Sequence, residues 1–159
     1  MTVDDSMLAL ILAFLIGAVS GSRTLFGPAA VSWAAYGGWL DVSGSWLFFL
    51  GHTVSPWVFT AMAVVELIVD KLPTTPSRKQ PFPFASRVAG GAIAGAAIGA
   101  NVGFWIGGLV AGGIGAVTGT LVGYAARMRL AAAFGRDRPA ALLEDAVALI
   151  AAVLIVAAA

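Results

Sequence analysis

Cysteine is absent from the 159-residue chain, histidine occurs once, and charged side chains make up only 11% of it. Without cysteine there is no disulfide, no thiolate metal site and no cysteine nucleophile. The single histidine, His52, cannot assemble a metal site of ordinary ligand spacing, and neither a metal nor another cofactor is expected. The scarcity of charge excludes more. An ordinary soluble domain is about one-quarter charged, whereas 60% of these residues are hydrophobic and the mean hydropathy is +0.95. Such a chain belongs in a lipid bilayer. Its length leaves room for about four to six spanning helices of roughly 20 residues each, and none for a soluble catalytic domain. A formal net charge of +1 carries no signal for nucleic acid. A secretory leader is not expected either, because Asp4 and Asp5 precede the first apolar run, where a leader is basic, and "LIGAVSGSRT" offers no clean cleavage site.

Five apolar segments stand out, at 7–23, 56–72, 84–100, 104–126 and 139–158. Between the first two, "GWLDVSGSWLFFLGHTVSPW" carries Trp39, Trp46 and Trp57. Tryptophan concentrates at the membrane–water boundary, so 24–55 reads as an interfacial or re-entrant segment. Four prolines make 73–83 a polar linker. Residues 7–36 taken as one helix would reach about 45 Å, well beyond a hydrocarbon core of about 30 Å. Gly17, Gly21, Gly27 and Pro28 sit in the middle, which predicts a break near "GSRTLFGP".

Eight of the nine basic residues form two groups, Lys71, Arg78, Lys79 and Arg87, then Arg127, Arg129, Arg136 and Arg138. Two spans separate the groups, so both lie on one side, and the positive-inside rule makes that side the cytoplasm. Loops 73–83 and 127–138 are then cytoplasmic, with the C-terminus outside. Five spans put the N-terminus inside and six put it outside.

Small residues recur every fourth position through the third and fourth segments, at Gly91, Gly95, Gly99, Gly103 and Gly107, then Ala111, Gly115, Gly119 and Gly123. Such a row lets helices approach closely, and "GANVG" reads as the turn between them. The expectation is helix packing, within the chain and between copies of it. A weak echo relates "GAVSGSRTLFGPAAVSWAAYGG" (17–38) to "GAVTGTLVGYAARMRLAAAFGR" (115–136). With five spans the copies run in opposite directions, the arrangement of an inverted-repeat transporter.

The remaining charges define the candidate site. Glu66 and Asp70 are four apart, on one face of a helix. Glu144 and Asp145 fall at a similar depth, as do Arg87 and Arg127. An uncompensated charge in hydrocarbon costs at least about 2.5–3.5 kcal/mol, so these groups face one another or a wet cavity. One reading is a set of ion pairs, Glu66 with Arg87 and Glu144 with Arg127. The other is a cytoplasm-facing polar vestibule for an ion or small solute. Arg23, apart from the basic clusters and at the helix break, either joins a half-helix N-terminus as an anion site or snorkels to the headgroups. No catalytic residues are expected: "GHTVS" is not a nucleophile elbow, and "VAGGAIAG" lies inside a span and not between a strand and a helix.

"SGSRTLFGPAA", "ELIVDKLP" and "EDAVAL" together resemble a bacterial membrane family catalogued as domain of unknown function 4126. Its pattern is a G-x-R followed by a proline (Gly21, Arg23, Pro28), an E-L-x-x-D-K-x-P signature (Glu66, Asp70, Lys71, Pro73) and a late E-D pair (Glu144, Asp145). The middle motif is the most specific. This chain departs from the pattern in its short proline-rich linker, so no function of a longer loop carries over. The resemblance implies a compact multi-span protein of the bacterial inner (cytoplasmic) membrane, and no particular activity.

The expected fold is therefore an all-α polytopic transmembrane helix bundle, a single domain of about five spans with the first one broken and a weak inverted repeat. The expected function is a small homo-oligomeric transporter or channel for an ion or small polar solute, its pathway lined by Arg23, Glu66, Asp70, Arg87, Glu144 and Asp145. The alternative is a structural subunit of a larger membrane complex, and a lipid-acting enzyme stands third. The lipid bilayer is the one partner common to all three.

Overall fold

A computed structural model describes residues 3–70, 80–135 and 137–159, without the side chains of Val3, Asp137 and Arg138. It is all-helical among those residues. The order is α1 (Val3–Ser22), α2 (Phe26–Tyr36), a 3-10 helix (Trp46–Gly51), α3 (Ser55–Val69), α4 (Pro81–Asn101), α5 (Trp105–Phe134) and α6 (Asp137–Ala157). The helix prolines sit where a missing N–H is harmless. Pro28, Pro56, Pro81, Pro83 and Pro139 all fall within the first three residues of their helices. Two of the four prolines expected in the linker thus open α4, and residues 73–79 of that linker lie outside the described residues. α5 ends on Gly135, whose φ of +65° is a left-handed conformation that other residues seldom adopt. Three residues later α6 is under way.

Three of these helices are long and apolar enough to cross a membrane: Asp4–Ser22, Trp105–Phe134 and Pro139–Ala157. Their outward faces carry exposed Leu8, Ile11, Val122, Leu142 and Leu154, an apolar exterior suited to lipid and not to water. α3, expected as a full span, has only 15 residues, about 22 Å. α4 is long enough but is built of glycine and alanine. It lies in the core, burying Gly91, Ala94, Gly95, Ala96, Ala97, Ile98 and Gly99, so close packing and not hydrophobicity holds it.

Glycine contacts set the directions of the core helices. Gly91 and Gly95 lie against Gly112, and Gly99 against Gly108, so α4 and α5 form an antiparallel hairpin. Gly17 lies against Gly112 and Gly21 against Ala116 and Thr120, while Gly115 meets Phe14 and Gly119 meets Ala18. α1 and α5 therefore run in the same direction. This corrects the inverted echo: residues 17–22 and 115–120 lie on parallel helices. It also changes the reading of the first span. The break at Arg23–Leu25 turns the chain back, so that Gly27 lies beside Ser20 and Ile16. α1 and α2 are the arms of a hairpin and not two halves of one rod, and the six α-helices alternate in direction. The start of α1 and the end of α6 consequently lie at the same end of the bundle.

That end is rich in tryptophan. Trp33 stacks edge-on against Trp57 at 5.0 Å, and Trp46 against Trp105 at 6.3 Å. Asn101 accepts from the Asp41 N–H (2.8 Å) and donates to the Ala159 carbonyl (3.1 Å), tying loop, α4 and C-terminus together. Ser43 donates to the Asp41 carboxylate through its hydroxyl and its N–H, which holds the carboxyl below its usual value of 3.8. His52 is exposed in this region.

The glycine row is corrected in two places. Gly103 is the turn residue between α4 and α5, with φ +73° and open space where a Cβ would stand, and the atoms nearest a Cβ on Gly107 are those of the Phe104 ring, three positions earlier in the same chain. Gly91, Gly95, Gly99, Gly115 and Gly119 do pack helices, but within this chain. Those faces are occupied and unavailable to a second copy.

Candidate functional site

At the opposite, basic end the hairpin bend carries Arg23, 1% exposed. Three residues of other helices surround it. Its guanidinium pairs with Asp70, which caps the end of α3, and with Asp145 of α6, with Nε donating to Asp145 Oδ1 at 2.6 Å, and Glu144 stands 4.0 Å away. A buried guanidinium is tolerated only when its charge and its donors are satisfied together, and here two carboxylates do both. Arg23 does not snorkel to the surface.

Arg87, at the start of α4, is 3% exposed. It donates to the carbonyls of Gly21 (3.1 Å) and Ser22 (2.6 Å), and lies 3.7 Å from Asp70. Thr120 of α5 donates to the Gly21 carbonyl too, at 3.0 Å. The last carbonyls of a helix have no partner within it and carry its negative pole. Arg87 and Thr120 supply that end of α1 with donors and, through Arg87, with positive charge. Arg127 of α5 stands 3.6 Å from Glu144, as the sequence-based pairing has it.

Glu66 departs from expectation. Its carboxylate does not pair with Arg87. Oε1 accepts from the N–H of Thr24 at 2.7 Å and Oε2 from the N–H of Leu25 at 2.9 Å. These donors belong to the N-cap residue of α2 and the residue before it, and no side chain of the local sequence caps the helix. Glu66 supplies the missing cap from 41 positions away, and the positive pole of α2 favours its charge. The anion site expected at the break is present, and the protein's own carboxylate fills it.

A cavity of about 770 Å³ opens beside this cluster, between α3 and α4. Its polar end is lined by Glu66, Asp70, Arg87, Tyr124 and Arg127, and its walls by Leu25, Phe59, Met62 and Ile93. A second groove of about 680 Å³, almost wholly apolar, separates α3 from α6. α3 thus stands off the bundle on two sides, and its backbone packs mainly against α2 and the 3-10 helix.

Arg23, Glu66, Asp70, Arg87, Glu144 and Asp145 all reach one cluster, drawn from the bend and from α3, α4 and α6. The residues that sequence reasoning left out are the backbone donors of Thr24 and Leu25, together with Thr120 and Tyr124. A helix start with no local cap, just before Gly27–Pro28, is the signal for the first pair. The carboxylates of this cluster are arranged around arginine, and among the described residues no group of three His, Cys, Asp or Glu side chains is placed to hold a metal ion. Comparison with protein-family models, with curated proteins and with solved structures finds no match to this chain.

Proposed function

We propose that this chain is a small bacterial inner-membrane transporter that moves an ion or small polar solute through the α3–α4 cavity, with its basic end toward the cytoplasm. The observation that carries the reading is a cavity of ligand size ending on two acidic and two basic side chains, Glu66, Asp70, Arg87 and Arg127. α3 is the moving part, because it is bounded by open space on two sides and held at its end by Glu66 and Asp70. The three sequence motifs support membership of the domain of unknown function 4126 family. Self-association uses outward faces other than the glycine row.

The test is flux into proteoliposomes, read by a pH dye and by isotope uptake, for a panel of inorganic ions, organic acids and amines. The expected result is movement of one class, abolished by Asp70→Asn in protein whose helical circular dichroism is unchanged. Folded wild-type protein that moves no member of the panel would sink the reading. A structural subunit is the second reading, favoured by the pairing of Arg23 with two carboxylates. Co-purification of a stoichiometric membrane partner, without flux, would establish it.

A further inference from the structure

The groove of about 680 Å³ between α3 and α6 takes no part in the cluster at the basic end. Its lining runs along α2 from Phe26 to Tyr36, along α3 from Thr60 to Leu67 and along α6 from Leu149 to Val156, with no charged side chain in it. Two polar side chains stand inside the rim, and both are served by their neighbours. The Trp33 indole N–H donates to the Thr60 hydroxyl at 3.0 Å, which in turn donates to the Pro56 carbonyl at 2.7 Å. A polar ligand would find no partner there and would lose its water for nothing. Tyr36 and Trp39, both exposed, line the end nearest the other tryptophans, and such rings sit at headgroup level.

Length and volume narrow the occupant further. The ten rises from Phe26 to Tyr36 make the groove about 15 Å long, half of a hydrocarbon core of about 30 Å. It reaches from headgroup level to the middle of the bilayer. A piece of helix about 10 Å across and of that length occupies roughly 1,200 Å³, too much for this groove, so a helix of a second copy does not fit. An extended alkyl chain rises about 1.2 Å per bond and covers the distance with about a dozen carbons.

We propose that this groove holds one acyl chain of a membrane phospholipid from the leaflet at the tryptophan-rich end, a bound lipid that packs α3 against α6. The lipid is bound whether or not the α3–α4 cavity conducts a solute. Buried Ala34, Ala63 and Ala152 form the floor, and small side chains let the chain lie close to three helices at once. In a bilayer the hydrophobic effect does not favour the groove over bulk lipid, so van der Waals contact holds the chain there. An empty slot would forfeit those contacts along both α3 and α6. With no charge in the lining, the headgroup is not selected, and the site reads only the chain.

The full chain, purified in detergent, is examined by native mass spectrometry, and its melting temperature is followed as dioleoyl phosphatidylglycerol or dioleoyl phosphatidylethanolamine is added. One phospholipid should stay on each chain, and both lipids should raise the melting temperature equally, since a ligand of the folded state stabilises it. Val153→Phe, at an exposed position on the groove wall, should weaken retention about tenfold or more, as overfilling a packed slot does, and remove the thermal response. Ala63→Leu narrows the slot from α3 and should do the same, so a folding defect in one variant, seen by circular dichroism, leaves the other to decide. Ile114→Phe, exposed on α5 and outside the groove, should keep both the lipid and the response. Wild-type protein that neither retains phospholipid nor melts higher with it would overturn the assignment. So would undiminished retention in the folded groove variants, equal loss in Ile114→Phe, or a tenfold preference for one headgroup. A ring-bearing lipid retained in place of the phospholipid, or a dimer that Val153→Phe dissociates in light scattering, would overturn it as well and give the groove to that occupant.

Discussion

Glu66 caps a helix it does not belong to: one of its carboxylate oxygens accepts from the Leu25 N–H at 2.9 Å, and the other from the adjacent Thr24. The contact joins α3 to the hairpin bend without any basic side chain. Glu66→Ala should lower stability by about 2–3 kcal/mol by stranding two donors, and Glu66→Gln by less, because its amide oxygen still accepts one bond. In a double-mutant cycle with Arg87→Gln the coupling should stay below about 1 kcal/mol, measured by unfolding in mixed detergent. A coupling of several kcal/mol would restore the ion pair that the sequence suggests.

Arg23 carries a heavier load. Arg23→Gln leaves Asp70 and Asp145 facing each other without their shared cation, and should cost about 3–5 kcal/mol. Arg23→Lys should recover only part of this, since an ammonium lacks the planar fork that serves two carboxylates. The same unfolding assay decides, and a loss under about 1 kcal/mol would show the pairs to be dispensable.

Gly112 sits where α1, α4 and α5 meet. A methyl group there would enter the Gly91 carbonyl and press on the Gly95 Cα, both backbone and unable to rotate away. Gly112→Ala should destabilise by about 1–3 kcal/mol or more, as overpacking does, with no change of oligomer size by light scattering. A stable variant of altered size would mean that this face joins separate chains.

Ser20 is fully buried and its hydroxyl has no hydrogen-bond partner among the described residues. It projects toward Gly27, across the α1–α2 hairpin. Ser20→Ala removes an unsatisfied polar atom and should raise stability by up to about 1 kcal/mol, seen as a higher melting temperature. A lower one would mean that the hydroxyl has a role in the folded protein.

The helix break, the gathering of charges at one end and the tryptophan-rich opposite end were legible because each follows from a local cost. Proline lacks a donor, charge avoids hydrocarbon, and indole prefers the interface. The partner of Glu66 was hidden, because a backbone N–H carries no letter in a sequence. Direction was hidden too: whether Arg23–Leu25 bends the chain by a little or turns it back depends on Gly27 nesting against Ser20, a matter of packing and not of composition. The glycine row announced close approach, but small residues say nothing about whether the neighbour belongs to the same chain.

The parallel seam between α1 and α5 has a consequence for synthesis. Thr120 reaches the Gly21 carbonyl from 99 positions downstream, and Asp145 reaches Arg23 from 122. When the first hairpin leaves the ribosome, neither its main helix contact nor the second counter-ion of its arginine yet exists. The first hairpin therefore completes its packing and the pairing of its buried arginine only once α5 and α6 have been made. A chain ending before α6 would lack the Asp145 partner of its buried Arg23.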